Sequence, residues 1–318
     1  MRYWLAAIGA SLSAFPVHAV PDAADISDYR ALIAQDLRLA TTGYRLAFAN
    51  RSFCKKQERN PGWVIHDVAQ YSDVKSARAA FAFEEPMAVA AVVPSGPAAL
   101  AGIVPGDGLA AIGANVLDLT NEPDERPTYK RVLQVKALAG QLLAVSGRLP
   151  LTLVRNQQRI AKTFEPPLIC PSDFQVDTNS NLDAGANGSI VRVTSAMMEY
   201  VANDDELAAV VAHELAHNLL AHRIRLSAVK RRKMQAILAT EIEADRLSVW
   251  LMTNAGYDPN AALRFWKRYG KQYGLGIFTE GTHLRWKRRV AIMQSEIDLM
   301  AKTDMTDGAL PPPLLVGQ

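Results

Sequence analysis

Asn203-Asp-Asp-Glu-Leu-Ala-Ala-Val-Val-Ala-His-Glu-Leu-Ala-His-Asn-Leu-Leu-Ala-His222 decides how this chain of 318 residues is read. Asn203, with Glu206 three residues on, is a capping-box-like start, so the stretch reads as one helix. From Leu207 to Ala221 only His213, Glu214, His217 and Asn218 are not apolar. A helix apolar nearly all round is buried, and burying a glutamate with two histidines is costly unless something compensates them. His213 and His217 lie one turn apart on one face with Glu214 beside them, the H-E-x-x-H pattern of a zinc site that carries its own general base. The alternative is two histidines hydrogen-bonded inside a core; the glutamate between them weighs against it.

Zinc that activates water needs a third protein ligand and an open fourth position. The candidates lie in Thr240-Glu-Ile-Glu-Ala-Asp-Arg246, inside a second helical stretch from about Lys233 to Asn254 that stops at Gly256. Glu241 and Asp245 are four apart and share a face, whereas Glu243 is turned roughly 200° from Glu241. Like charges at that spacing destabilise a bare helix, but the pair makes sense if Glu241 binds the cation and Asp245 orients a ligand from behind. Glu243, three before Arg246, reads as an exposed ion-pair residue, and His222 as a structural residue at a helix end.

With His-Glu-Leu-Ala-His at 213–217, His222, Glu241-Ile-Glu-Ala-Asp245, Ala255-Gly-Tyr-Asp-Pro259, Thr282-His283 and Arg289, the chain resembles the gluzincin zinc metallopeptidases of the HtpX and CAAX prenyl endopeptidase type over about residues 173 to 300. Leu284 stands where that family often has proline. The resemblance implies Glu241 as third zinc ligand, one Zn2+ per chain, and peptide-bond hydrolysis with Glu214 as base. His283 is the remaining candidate for the catalytic set, as an oxyanion donor or a reversible occupant of the open position; a surface histidine is the other reading. Asn181 to Thr194 resembles the family's substrate edge strand, with Asn187 and Gly188 as the matching residues and a plain hairpin as the alternative.

Residues from about Glu84 to Arg155 read as a strand (Met87 to Val93), a Ser-Gly-Pro-Ala-Ala-Leu-Ala-Gly turn, Val104-Pro-Gly-Asp-Gly through Val116, a helix near Thr128 to Leu143 and a strand Leu149 to Val154. Ala101-Gly102, Pro105-Gly-Asp107 and Ile112 with Asn115 resemble a PDZ domain of the kind found in bacterial proteases. That implies a C-terminal peptide ligand, captured near Phe81 to Met87, yet Phe81-Ala-Phe-Glu-Glu-Pro lacks glycines and carries two acids. A module that only packs on the protease is the competing expectation.

Met1-Arg2, the apolar run Tyr3 to Phe15, Pro16 and Val17-His-Ala19 form an export signal cleaved near Ala19, too short to span a bilayer. No other run is long enough, so the mature chain is expected to have no transmembrane segment and to be periplasmic or secreted. The two cysteines, Cys54 and Cys170, then read as a disulfide bracketing the PDZ-like module, with two buried thiols as the alternative. Net charge is only +3. The clusters Arg223, Arg225, Lys230–Lys233 and Arg285, Lys287–Arg289 read as solvated helix faces, and no nucleic-acid partner is expected.

The expected organisation is α+β: a signal peptide at 1–19, a helical segment at 20–80 packed on the protease, a PDZ-like β-rich domain at 81–160, a mainly helical metallopeptidase domain with a small edge sheet at 161–302, and a flexible Pro-rich tail at 303–318. The leading expectation is a zinc endopeptidase acting on misfolded or specific envelope proteins or peptides. Its rival is a PDZ-centred binding or chaperone-like protein with a latent or structural zinc site, which would have no use for Glu214 as a base.

Overall fold

The computed structural model describes residues 26–119, 127–231, 233–273 and 285–316. The export signal and His283 lie outside them. Helix α1 (Ile26–Ala49) leads to a two-residue strand β1 (Glu58–Arg59), then β2 (Trp63–Asp67), α2 (Val74–Phe81), β3 (Met87–Val92), α3 (Pro97–Leu100), β4 (Gly108–Ile112), β5 (Asn115–Val116), α4 (Lys130–Ser146), β6 (Leu149–Arg155) and β7 (Gln158–Phe164). The return is β8 (Leu168–Ile169), followed by β9 (Asp173–Asp177), β10 (Ala184–Ala186), β11 (Ile190–Thr194), α5 (Ser195–Tyr200), α6 (Asp204–Leu219), α7 (His222–Ser227), α8 (Lys233–Asn254), α9 (Asn260–Tyr273), α10 (Trp286–Met300) and α11 (Pro313–Val316). The α+β class is as expected.

Six strands form an antiparallel sheet in the order β2-β3-β4-β6-β7, with β5 on β4. Met87-Ala-Val-Ala-Ala-Val92 is almost wholly buried, as a central strand needs. Helix α4 covers one face through Val132, Val135, Ala139 and Leu143 and ends at Gly147, whose φ of +71° few other residues tolerate. Two strands were illegible in the sequence. Strand β2 is short and bulged between Val64 and Ile65, and β7, Gln158-Arg-Ile-Ala-Lys-Thr-Phe164, has little apolar content because it is a solvated edge. The sheet thus begins at Trp63, ahead of the boundary expected at 81. Buried Asp67 fixes that beginning: it caps the turn after β2 by accepting from Ala69 N at 2.9 Å, and it takes Arg131 of α4 on both oxygens.

The larger core joins α6, α8, α9 and α10 to α1 and β11. Helix α1 passes so close to β9 that a Cβ on Gly43 would fall 2.3 Å from the Phe174 ring, so only glycine fits there. A three-stranded sheet, β10-β11-β9, lies against α6, with β9 parallel and β10 antiparallel to β11. The C-terminal segment departs from the expected flexible tail. Leu310 and Leu315 are buried in the main core, and Asn254 holds Leu310 by both N and O. Pro311 and Pro312, with their fixed φ, make a stiff spacer, and Pro313, whose missing N–H costs nothing at a helix start, opens α11, which carries Leu315 onto the core.

Cys54 and Cys170 form a disulfide across 116 residues. Beside it β1 and β8 pair antiparallel, and Cys170 N donates to Ala47 O at the end of α1. The whole six-stranded module is therefore an excursion pinched at its base. Closing so long a loop stabilises by roughly 5 kcal/mol in the chain-entropy model. Cys54→Ala/Cys170→Ala is expected to lose about 2–5 kcal/mol of stability, read as a lower urea midpoint; an unchanged midpoint would show that the packing of the module, not the bond, holds its base closed.

Candidate metal centre

Helix α6 starts as its sequence indicates, with a variation. Asn203 Oδ1 accepts from Glu206 N at 3.0 Å, while the Glu206 carboxylate reaches back to Ala202 N at 2.9 Å and is clamped by Arg268 of α9. That anchors the first turn, and eleven residues later Glu206's helix presents His217. Leu207 to Ala212 are all buried, so the phase of the helix is set by packing on every side.

His213, His217 and Glu241 converge as a group able to hold a metal ion. His213 Nε2 lies 3.3 Å from His217 Nε2, Glu241 Oε2 lies 3.5 Å from His213 Nε2, and Glu241 Oε1 lies 3.5 Å from His217 Nε2. Donors around one tetrahedral zinc, with bonds of about 2.0–2.1 Å, stand roughly 3.3–3.4 Å apart. The two histidine nitrogens stand at that separation, and each lies close to one oxygen of the same carboxylate, so the three side chains can close around a single ion of that size.

The outward nitrogens are held in the tautomer such a site requires. Asp245 Oδ1 lies 3.1 Å from His213 Nδ1, so the ring donates there and keeps its Nε2 lone pair inward. Behind His217 runs a longer relay. His222 Nε2 sits 2.9 Å from Glu243 Oε2 and its Nδ1 sits 2.9 Å from His217 Nδ1. With the carboxylate taking the Nε2 proton, His222 Nδ1 accepts from His217 Nδ1 and leaves His217 Nε2 free to ligate. Neither histidine end of the site is left to chance.

The electrostatics agree. Burial and Arg289 work to lower the His213 pKa, but hydrogen bonds to Asp245 and Glu241 outweigh them and raise it to about 9. Burial, with the charge on His213, pushes His217 down to about 3. In effect one proton on His213 stands where a cation would sit among the carboxylates. Burial lowers His222 to about 4 against the pull of Glu243. Burial also raises Glu214, with Glu241 and Asp183 adding to it, a direction that suits a base able to hold and return a proton.

Several sequence readings need correction. Arg289 is buried, not part of a solvated face: its Nη2 reaches Asp245 Oδ1 at 2.6 Å, its Nε reaches Oδ2 at 2.9 Å, and its guanidinium lies 3.3 Å from the centre of the Trp266 ring. Burial would raise the Asp245 carboxyl, but Arg289 and His213 hold it below the usual range. Glu243 does not pair with Arg246; it takes His222 and Arg225, while Arg246 goes to Glu296, which also accepts from Trp250 Nε1 at 2.8 Å. His222 is correspondingly buried in the relay and not a simple helix end. Arg289 was within reach of sequence reading, since Arg289, Met293, Glu296 and Met300 follow one helical stripe.

Asn187 and Gly188 lie in the turn between β10 and β11, not on a strand. Asn187 Oδ1 accepts from Ser189 N and Ile190 N, and Gly188, at a φ of +100°, donates to Asn218 Oδ1 at 2.7 Å, beside His217. The plain-hairpin alternative describes these two residues. Among the described residues both outer strands of this sheet, β9 and β10, have an edge without a strand partner, and the β10 edge is residues Ala184–Ala186. The segment expected to capture a C-terminal carboxylate is likewise otherwise engaged. Phe81 and Phe83 stack in a small core, and Glu84 accepts from Asn156 N and Gln157 N at the β6–β7 turn. A cavity of about 220 Å³ opens instead between β2, α4 and β9, bordered by Trp63, His66, Tyr129, Lys136, Asp173 and Gln175.

A largely buried His-His-Glu donor set with the Glu214 carboxylate next to it in sequence, on helices packed against a small sheet, is the arrangement a metallopeptidase site needs. Residues 157–240 match the family model of Peptidase family M48, so this region is similar to that of the M48 metallopeptidases. The match takes in both histidines and Glu214 and stops one residue short of Glu241. No curated protein compared with the chain matches it.

Groups that orient metal ligands from behind typically change metal affinity by about 10–100-fold when lost. Arg289→Met and His222→Phe are each expected to weaken zinc retention by that factor in a chelator competition, with the helical circular dichroism signal kept. Retention equal to that of the wild type in both would contradict the orienting roles drawn here.

Proposed function

We propose that the protein is a zinc-dependent metalloendopeptidase of the gluzincin kind, in which His213, His217 and Glu241 hold one zinc ion and Glu214 is the general base. The observation that carries this reading is the convergence of the three side chains, with the two Nε2 atoms 3.3 Å apart and each 3.5 Å from one oxygen of the Glu241 carboxylate, a spacing able to take one small tetrahedral cation. A zinc ion so held supplies Lewis acidity to a water molecule and to the scissile carbonyl. Glu214 takes the proton released by the attacking water and returns it to the leaving amine. Asp245 keeps His213 pointing inward, and Arg289 keeps Asp245 charged in a dry setting. His222 and Glu243 do the same for His217.

The substrate is a protein or peptide. An extended segment would add to the outer edge of β10, where main-chain hydrogen bonds hold it without regard to sequence. Export after cleavage near Ala19 is supported by the disulfide and by the absence, among the described residues, of a helix long and apolar enough to cross a membrane. Misfolded or specific cell-envelope proteins are then the substrates in reach. The six-stranded module is read as a PDZ-like insertion, and the cavity between β2 and α4 is where its peptide ligand would lie.

Glu214 separates this reading from a binding protein with structural zinc, which needs no base. Glu214→Gln is expected to keep about one zinc per chain and to lose casein cleavage by at least ~100-fold. Zinc retained with cleavage also retained would move the base elsewhere. Glu241→Ala should lose the metal and the activity together.

A further inference from the structure

The α7–α8 connection carries a charge pattern that the metal site does not use. Between His222 and Thr240 stand Arg223, Arg225, Lys230, Arg231, Arg232 and Lys233 without a single Asp or Glu. The whole chain has a net charge of only +3, so without this stretch it would be net negative. Arg225 is taken by Glu243. Lys230, Arg231 and Lys233 are exposed and have no carboxylate partner among the described residues. Set among them are two aliphatic side chains that folding leaves in water, Ile224 at 72% exposure and Met234 at 45%.

We propose that this connection is a docking surface for an anionic phospholipid bilayer. Cations concentrated in one short, exposed connection meet the negative potential of such a surface, each contributing while it lies within a Debye length of the headgroups. Exposed Ile224 and Met234 then enter the headgroup–acyl boundary, where apolar area leaves water. An acidic protein partner would satisfy the cations alone and give those two side chains no reason to be exposed. The patch also has a fixed orientation to the proposed cleft. Arg223 Nη1 donates to Asn187 O at 3.1 Å, so α7 sits against the turn that joins β10 to β11. Docking would hold that end of the small sheet toward the lipid, and a peptide segment emerging from the bilayer would be offered to β10. The docking stands without the peptidase reading; only this consequence for substrates rests on it.

The test is co-sedimentation of the full chain with vesicles containing about one-third phosphatidylglycerol in phosphatidylcholine, against phosphatidylcholine alone, at low and physiological salt. Wild type and variants share the same N-terminus, so any contribution from that segment cancels. Binding only to the anionic vesicles, weakened by salt, is expected. Lys230→Gln/Arg231→Gln/Lys233→Gln should lower the partition coefficient by about 100-fold, at roughly 5-fold per cation. Ile224→Asp should weaken it while leaving casein cleavage unchanged. Equal binding by the triple variant, or no binding of the wild type to anionic vesicles at low salt, overturns the proposal. So does binding of soluble poly-glutamate without vesicle binding, which would assign the patch to acidic peptides. Because vesicle binding is read without any cleavage, an inactive protein that still docks would leave this inference standing and remove only the peptidase reading.

Discussion

A guanidinium sealed under an indole, Arg289 on Asp245, is the contact on which the site's geometry depends. The larger core is assembled from helices that are apolar on most faces, and two histidines and three carboxylates, Glu214, Glu241 and Asp245, have to be brought into it together. Such groups persist in a dry interior only when each is paired and hydrogen-bonded. Arg289 comes from α10, Asp245 from α8 and His213 from α6, so a single charge-assisted chain crosses three helices. Removing any member would leave a buried charge uncompensated, which is far more costly than the net worth of the pair.

The same logic explains why the site has two different rear supports. His213 is backed by a carboxylate already committed to a cation, whereas His217 is backed by a neutral histidine whose far side meets Glu243. Both arrangements direct Nε2 inward, and both put the compensating charge one shell away from the donor triangle. Glu243 faces this relay because it lies two residues from Glu241 and hence on another side of α8. The alternating acids of Glu241-Ile-Glu243-Ala-Asp245 therefore serve two histidines from one turn and a half of helix.

Much of this was legible in the sequence, for a physical reason. His213, Glu214, His217, Glu241 and Asp245 lie at helical spacings that force their side chains onto shared faces, so pattern alone predicts proximity. Helix α8 was readable to its ends because Asn254 precedes Gly256 and the charge pattern is broken there. What was not legible depends on contacts distant in sequence. Arg289 sits in Arg285-Trp-Lys-Arg-Arg289, which reads as a solvated run unless the buried stripe it shares with Met293 and Met300 is followed. The relay through His222 needs α7 to fold back on α8, which no local signal encodes. Leu310 and Leu315 looked like tail residues because prolines surround them, and their burial depends on distant partners, for Leu310 the side chain of Asn254. Strand β2 was hidden by its bulge and shortness, and β7 by its polarity.

The central claim is a single zinc held by two imidazoles and one carboxylate, with a position open to water. X-ray absorption at the zinc edge of the purified, unreduced protein tests it most directly. The account predicts nitrogen and oxygen neighbours only, at about 2.0–2.2 Å, with the outer-shell signature of two histidines. A shell of four protein ligands with a third imidazole, sulfur neighbours near ~2.3 Å, or no bound zinc would contradict it.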